Sequence, residues 1–191
     1  MKKIILFLFL SISAFSQSTE SLKVATKKLY QANYLMDFDG IVSLSYPKMV
    51  ETIGSDKMLE SIEKYYENDD YRLRFQLETV PFKYGEIKKS ESKSFCIITC
   101  SNPIRYTFND KLTKDAADMK AGWIMDITGT IEATFEPARN SFNVRRTTTF
   151  IAVFSDATTA NQWRFFNFDD ATQREVFNTT FGESTKKELG L

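Results

Sequence analysis

Two hydrophobic rhythms divide the chain near residue 70. Before it, apolar residues recur at three- and four-residue spacing, the signature of helices with one buried stripe. Leu22, Ala25, Leu29, Ala32 and Met36 form the first stripe and predict a helix over residues 20–36. Asp37-Phe38-Asp39-Gly40 ends it, with Gly40 suited to a left-handed turn. Residues 41–45 read as a short helical turn. Pro47 then occupies the first turn of a short helix whose apolar side is Met49, Val50 and Ile53, stopped by Gly54. Ser55 is placed to cap a further helix with Met58, Ile62 and Tyr65 on its inner face, broken by Asn68-Asp69-Asp70.

Beyond residue 70 the period changes to two. Tyr71, Leu73, Phe75 and Leu77 alternate with Arg72, Arg74, Gln76 and Glu78, as in a half-buried strand. Residues 82–87 and 94–100 predict further strands joined by a polar hairpin loop over 88–93, and residues 103–108 extend the sheet irregularly. Residues 109–122 read as a polar loop and 123–135 as extended again. A turn at 137–141, a Thr- and Val-rich strand at 144–155, a polar turn at 156–161 and a last strand at 162–168 follow. Asp169 or Asp170 caps a final helix to about Phe181, and the tail from Gly182 is expected to fray. Helices first and about six antiparallel strands after them predict an α+β fold.

The N-terminus departs from both rhythms. Lys2 and Lys3 precede an unbroken apolar run over residues 4–10, and Ala14 and Ser16 stand two apart like the small residues of a cleavage site. This order predicts a signal peptide over residues 1–16, cut after Ser16, and a single domain over 17–191. The apolar run is too short for a permanent membrane span, which takes roughly 20 residues. No cysteine lies at the cut to carry a lipid. The expected product is therefore exported, periplasmic or secreted, without a permanent membrane anchor.

Charge narrows the partners. The 25 basic and 25 acidic residues balance, and loss of Lys2 and Lys3 leaves a slight acidic excess. Nucleic-acid binding needs a basic footprint and is excluded. Cys96 and Cys100 fall in one predicted strand, where four residues separate Cα atoms by roughly 13 Å, against the roughly 7 Å limit of a disulfide. They read as two thiols on one side of the strand, with a bridge to a second chain as the alternative in an oxidising compartment.

The chain has no histidine. That removes Ser-His-Asp and Cys-His nucleophilic sites, imidazole bases and His-ligated metals, and two cysteines do not complete a zinc site. The seven glycines are too scattered for a phosphate loop. Asp37-Phe38-Asp39-Gly40 fails as a calcium loop, because its Gly falls early and Lys48 stands where a bidentate Glu belongs. No cofactor and no metal are therefore expected. Asn178-Thr179-Thr180 matches a glycosylation acceptor, a chance match behind a short leader of bacterial type. Trp163-Arg164-Phe165-Phe166 reads as a core strand and not a stacking platform. The pocket candidates are Tyr30, Tyr34, Tyr46, Trp123 and Asp126. Asp126 is placed on a strand face, either inside a cavity as a base or outward on a polar sheet face. The tyrosines either donate hydrogen bonds into a pocket or pack in the core.

Two segments carry a family resemblance. Phe38-Asp39-Gly40-Ile41, followed by Tyr46-Pro47-Lys48-Met49-Val50 and Ile53-Gly54, resembles the second-helix region of small exported bacterial members of the nuclear transport factor 2-like superfamily, which includes ketosteroid isomerase and the SnoaL-like proteins. Phe150-Ile151-Ala152-Val153-Phe154-Ser155-Asp156, then Trp163-Arg164-Phe165, resembles their last hairpin. The resemblance covers residues 20–168. It implies N-terminal helices packed in the concavity of a curved, about six-stranded antiparallel sheet, a cystatin-like cone enclosing a pocket. It brings no catalytic set, since members with activity use a Tyr with acidic groups or a His–Asp pair. The expected function is a non-enzymatic module binding a small hydrophobic molecule or a protein partner. The alternative is an isomerase- or dehydratase-type enzyme acting on a small hydrophobic substrate with Asp126 as base and a Tyr donor. Homodimerisation through the sheet is a third option.

Overall fold

A computed structural model describes residues 2–191, with side chains from residue 19 onward, that of Asp156 excepted; the cleavage expected after Ser16 falls where no side chain is described. The chain opens on α1 (Lys2–Leu35), α2 (Phe38–Leu44), α3 (Pro47–Ile53) and α4 (Ser55–Tyr66). Leu22, Leu29 and Ala32 of the first stripe are buried. The turn after α1 is not made by Gly40. Met36 takes the left-handed φ of 56° there. Gly40 lies inside α2, whose N-cap Asp37 accepts the Gly40 N–H at 2.9 Å. The glycine is needed for space, because a Cβ would sit 2.2 Å from Oδ2 of Asp37.

A curved antiparallel sheet of seven strands follows: β1 (Tyr71–Phe75), β2 (Phe82–Tyr84), β3 (Lys88–Ser90), β4 (Lys93–Phe108), β5 (Thr134–Glu136), β6 (Ser141–Phe154) and β7 (Trp163–Asn167). The α+β class and the helices-then-sheet order are as expected, with one strand more. The long strands β4 and β6 pair along their whole length, from Ser94 opposite Phe154 to Thr107 opposite Ser141. The hairpin loop expected at 88–93 is shorter. Glu91 and Ser92 both adopt positive φ, 48° and 61°, so a two-residue turn closes the ladder and residues 88–90 become β3.

The largest departure is α5 (Lys114–Thr128), which replaces the polar loop and the extended segment expected there. Thr113 caps it by accepting the Ala116 N–H, and Gly129 ends it at φ 65°. Its buried residues Ala117, Ile124 and Thr128 follow helical spacing. The alternation of Trp123, Met125 and Ile127 imitated a strand only because it crosses that stripe. Residues 156–161 begin with a helical turn, α6 (Asp156–Thr159). After β7, α7 (Ala171–Thr180) starts on Asp170, which accepts the Gln173 N–H. The tail does not fray: α8 (Glu183–Leu189) buries Thr185 and Leu189, and Thr185 shares a 2.9 Å hydrogen bond with Ser90 of β3.

Alternation along β4 and β6 sorts side chains onto two faces. Even-numbered residues such as Ile98, Cys100 and Phe150 pack with Leu22, Leu29 and Tyr30 of α1, and Ile104, Tyr106 and Val144 pack with Tyr66 and Ile124. Odd-numbered Phe95, Ile151 and Val153 pack with Met49 of α3, Phe177 and Phe181 of the α7 region and Leu189 of α8. Between α2 and α3 the chain runs beside β7, where the Tyr46 N–H donates to the Phe165 carbonyl at 3.0 Å. Cys96 and Cys100 are free and buried on β4.

Candidate functional site

The even-numbered face does not close completely. A cavity of about 560 Å³ opens between α1, α2, α4, the inner face of β6 and β7 and the start of α7. Leu29, Ile41, Met58, Ile62, Phe150 and Phe165 make its apolar wall. Its polar end is built by Tyr65, Arg146 and Asp169.

Each of these three has a local reason for its position. Arg146 is the even-numbered residue of β6 opposite Asn102 of β4, so the pleat aims it inward with Val144 and Phe150. Its side chain is 16% exposed. Tyr65 is at the end of α4, and its hydroxyl accepts from Nη1 of Arg146 at 3.2 Å. Asp169 stands between β7 and α7. Because Asp170 supplies the helix cap, the Asp169 carboxylate is free to turn inward toward Arg146.

The polar end is incompletely satisfied. Nη2 of Arg146 lies 3.6 Å from Oδ2 of Asp169, longer than a hydrogen bond. Nε of Arg146 is buried and has no partner among the described residues. Asp169 accepts only long hydrogen bonds, 3.3 and 3.4 Å, from the Thr149 N–H. Burial pushes its carboxyl above the usual carboxylate range, against the opposing pull of Arg146, the Thr149 N–H and Arg174. Burial likewise raises the Tyr65 phenol, opposed by Arg146. Lys64 at the rim is tied to Glu60 at 2.6 Å.

A row of polar side chains lies behind this end. Cys100 donates to Oδ1 of Asn102 at 3.3 Å, and Nδ2 of Asn102 donates to Oγ1 of Thr148 at 2.7 Å. The buried Tyr106 hydroxyl has no partner among the described residues. Burial lifts both thiols to about 11, which leaves them protonated and unreactive at neutral pH. Among the described residues no three His, Cys, Asp or Glu side chains gather to hold a metal ion.

None of the five residues singled out from the sequence lines this cavity. Tyr30 is buried beside Phe75 and Phe82, donates to the Leu77 carbonyl at 3.1 Å, and is pushed up to about 12 by burial. Tyr34 is half-buried on α1. Tyr46 is core, its ring 5.0 Å from Phe166 and 5.6 Å from Phe181. Trp123 packs on Tyr71 and Tyr106, with Lys120 over its ring. Asp126 is exposed on α5 and not on a strand, so it faces solvent and no cavity. That placement removes it as a catalytic base. A second, shallower concavity of about 500 Å³ lies on the opposite sheet face, between residues 130–134 and Ser101, Pro103 and Arg145.

Among the described residues no helix is long and apolar enough to cross a membrane. No family model matches the chain, and no curated protein matches it significantly.

Proposed function

We propose that this protein is an exported binding module of the nuclear transport factor 2-like kind, which holds a small hydrophobic molecule in the cavity between its helices and its curved sheet. The observation that carries the reading is the cavity itself: about 560 Å³, with Leu29, Ile41, Phe150 and Phe165 as an apolar wall, Asn33, Ser45 and Asn167 among its polar lining, and Tyr65, Arg146 and Asp169 converging at one end. That combination of an apolar wall and a few convergent polar groups is what small-molecule sites share. The test is binding of an environment-sensitive apolar dye, Nile red, to the purified protein. Saturable binding is expected, and Ser61→Trp, an exposed position at the mouth, should weaken it at least tenfold. A protein that binds no dye is not such a module. Export rests on the N-terminal pattern of residues 1–16, and the intact mass of the protein recovered from outside the cytoplasm checks it.

A second reading, an isomerase- or dehydratase-type enzyme, is favoured by one specific observation. The cavity holds a carboxylate raised by burial, Asp169, and a phenol, Tyr65, both against Arg146. On that reading Asp169→Asn abolishes turnover while leaving Nile red binding intact, and a protein that binds but turns nothing over is a carrier.

A further inference from the structure

Arg146 and Asp169 neutralise each other at the polar end of the cavity without completing each other's hydrogen bonds. The guanidinium is 16% exposed and the carboxylate 19%. Of the five donors of Arg146, one meets Tyr65, and Nε is buried with no partner among the described residues. The carboxylate has room for about four hydrogen bonds and takes only long ones from the Thr149 N–H. The 3.6 Å gap between them leaves spare donors on one side and spare acceptors on the other, side by side and facing a cavity whose opposite wall, Leu29, Phe150 and Phe165, is apolar.

Resting on the reading of the cavity as a ligand site, we propose that its ligand is an uncharged molecule with an apolar body and a head that carries an acceptor beside a donor, as a primary carboxamide does. The acceptor takes N–H groups of Arg146 and the donor gives to Asp169, so one head completes both groups. A carboxylate head fits less well. It brings a second negative charge beside Asp169, whose carboxylate is only 19% exposed, so that solvent screens the repulsion less than at the surface. Lys64 does not offset that charge, being held by Glu60. An ester head accepts from Arg146 and leaves Asp169 with only its long bonds from the Thr149 N–H. Buried groups left unpaired are what make such sites reject near-isosteric molecules.

The experiment is displacement of Nile red from the whole protein at pH 8 by octanamide, methyl octanoate and octanoate. Octanamide is expected to displace dye at a concentration at least tenfold below octanoate and several-fold below the ester. Asp169→Asn turns the acceptor partly into a donor and leaves Arg146 uncompensated, so it should reverse the order and favour octanoate. Octanoate equal to or better than octanamide on the wild-type protein overturns the proposal. So do three equal displacement curves, which keep the apolar cavity and remove the head recognition. Absence of dye binding overturns both readings together. The wild-type series decides the matter alone if the variant does not fold.

Discussion

Asn102 and Thr148 make a hydrogen bond of 2.7 Å at the centre of the sheet, the amide donating to the hydroxyl. It runs diagonally, since in register Asn102 faces Arg146 and Thr148 faces Cys100. Asn102 is fully buried. A buried amide that loses its acceptor costs about 1–3 kcal/mol. Thr148→Val, which keeps the shape and removes the hydroxyl, is expected to destabilise by that amount in urea unfolding. Adding Asn102→Leu should return part of the loss, because both polar partners are then gone. Equal stability of Thr148→Val and wild type would show that the bond contributes nothing.

Gly40 is predicted to be a conditional requirement. Gly40→Ala forces Asp37 off the N-terminus of α2, since the new Cβ overlaps its carboxylate. Loss of an N-cap costs about 1 kcal/mol. In an Asp37→Ala background the overlap is absent, and alanine's helix preference of about 1 kcal/mol over glycine should emerge as a gain. The sign change between the two backgrounds, read from paired denaturation curves, is the outcome to look for.

Alkaline pH should destabilise the fold through the two thiols. Both deprotonate near 9.0 when unfolded and near 11 when folded. The folded state therefore holds protons that the unfolded state has lost, and stability, constant below the lower value, declines as pH rises from one to the other. Tyr30, lifted from 10.0 to about 12, acts in the same sense at higher pH. Melting temperatures of wild type and a Cys96→Ala/Cys100→Ala variant across this range should converge as pH increases. Parallel curves would exclude the thiols as the cause.

The C-terminal helix gives a fourth expectation. Leu189 is 7% exposed and belongs to the core cluster that contains Phe177 and Phe181. Leu189→Ala should cost about 2 kcal/mol or more, as truncation of a buried leucine does. A frayed terminus would show no change.

The sequence was legible where one period dominates. The stripe of α1 as far as Ala32, the alternation of β1 as far as Phe75 and the cap of α7 could all be read directly, whereas Met36 and Leu77, assigned to the same buried faces, lie past those elements and are exposed. It misled at α5, where Ala117, Ile124 and Thr128 carry the burial but Trp123, Met125 and Ile127 carry the visible hydrophobicity. The same error moved Asp126 from a helix to a strand and made it a candidate base. The site itself had two faint signals. Arg146 breaks the apolar inward series of β6 between Val144 and Phe150, and a cationic residue at an inward position calls for a partner. Asp169 and Asp170 precede one helix that needs one cap, so the other is spare. Only tertiary packing brings Arg146, Asp169 and Tyr65 together, and no spacing along the chain encodes it.

The pairing of β4 with β6 has a consequence for behaviour at high concentration. These two strands, 16 and 14 residues long, are both interior. Every strand flanking them, β1, β2, β3, β5 and β7, has five residues or fewer. The outer rim of β7 is further occupied where Tyr46 takes the Phe165 carbonyl. Long unpaired edges are the templates on which chains add to one another, and this molecule offers only fragments of one. The two longest strands, including the Thr- and Val-bearing β6, are thus closed to that route because each has the other as its neighbour.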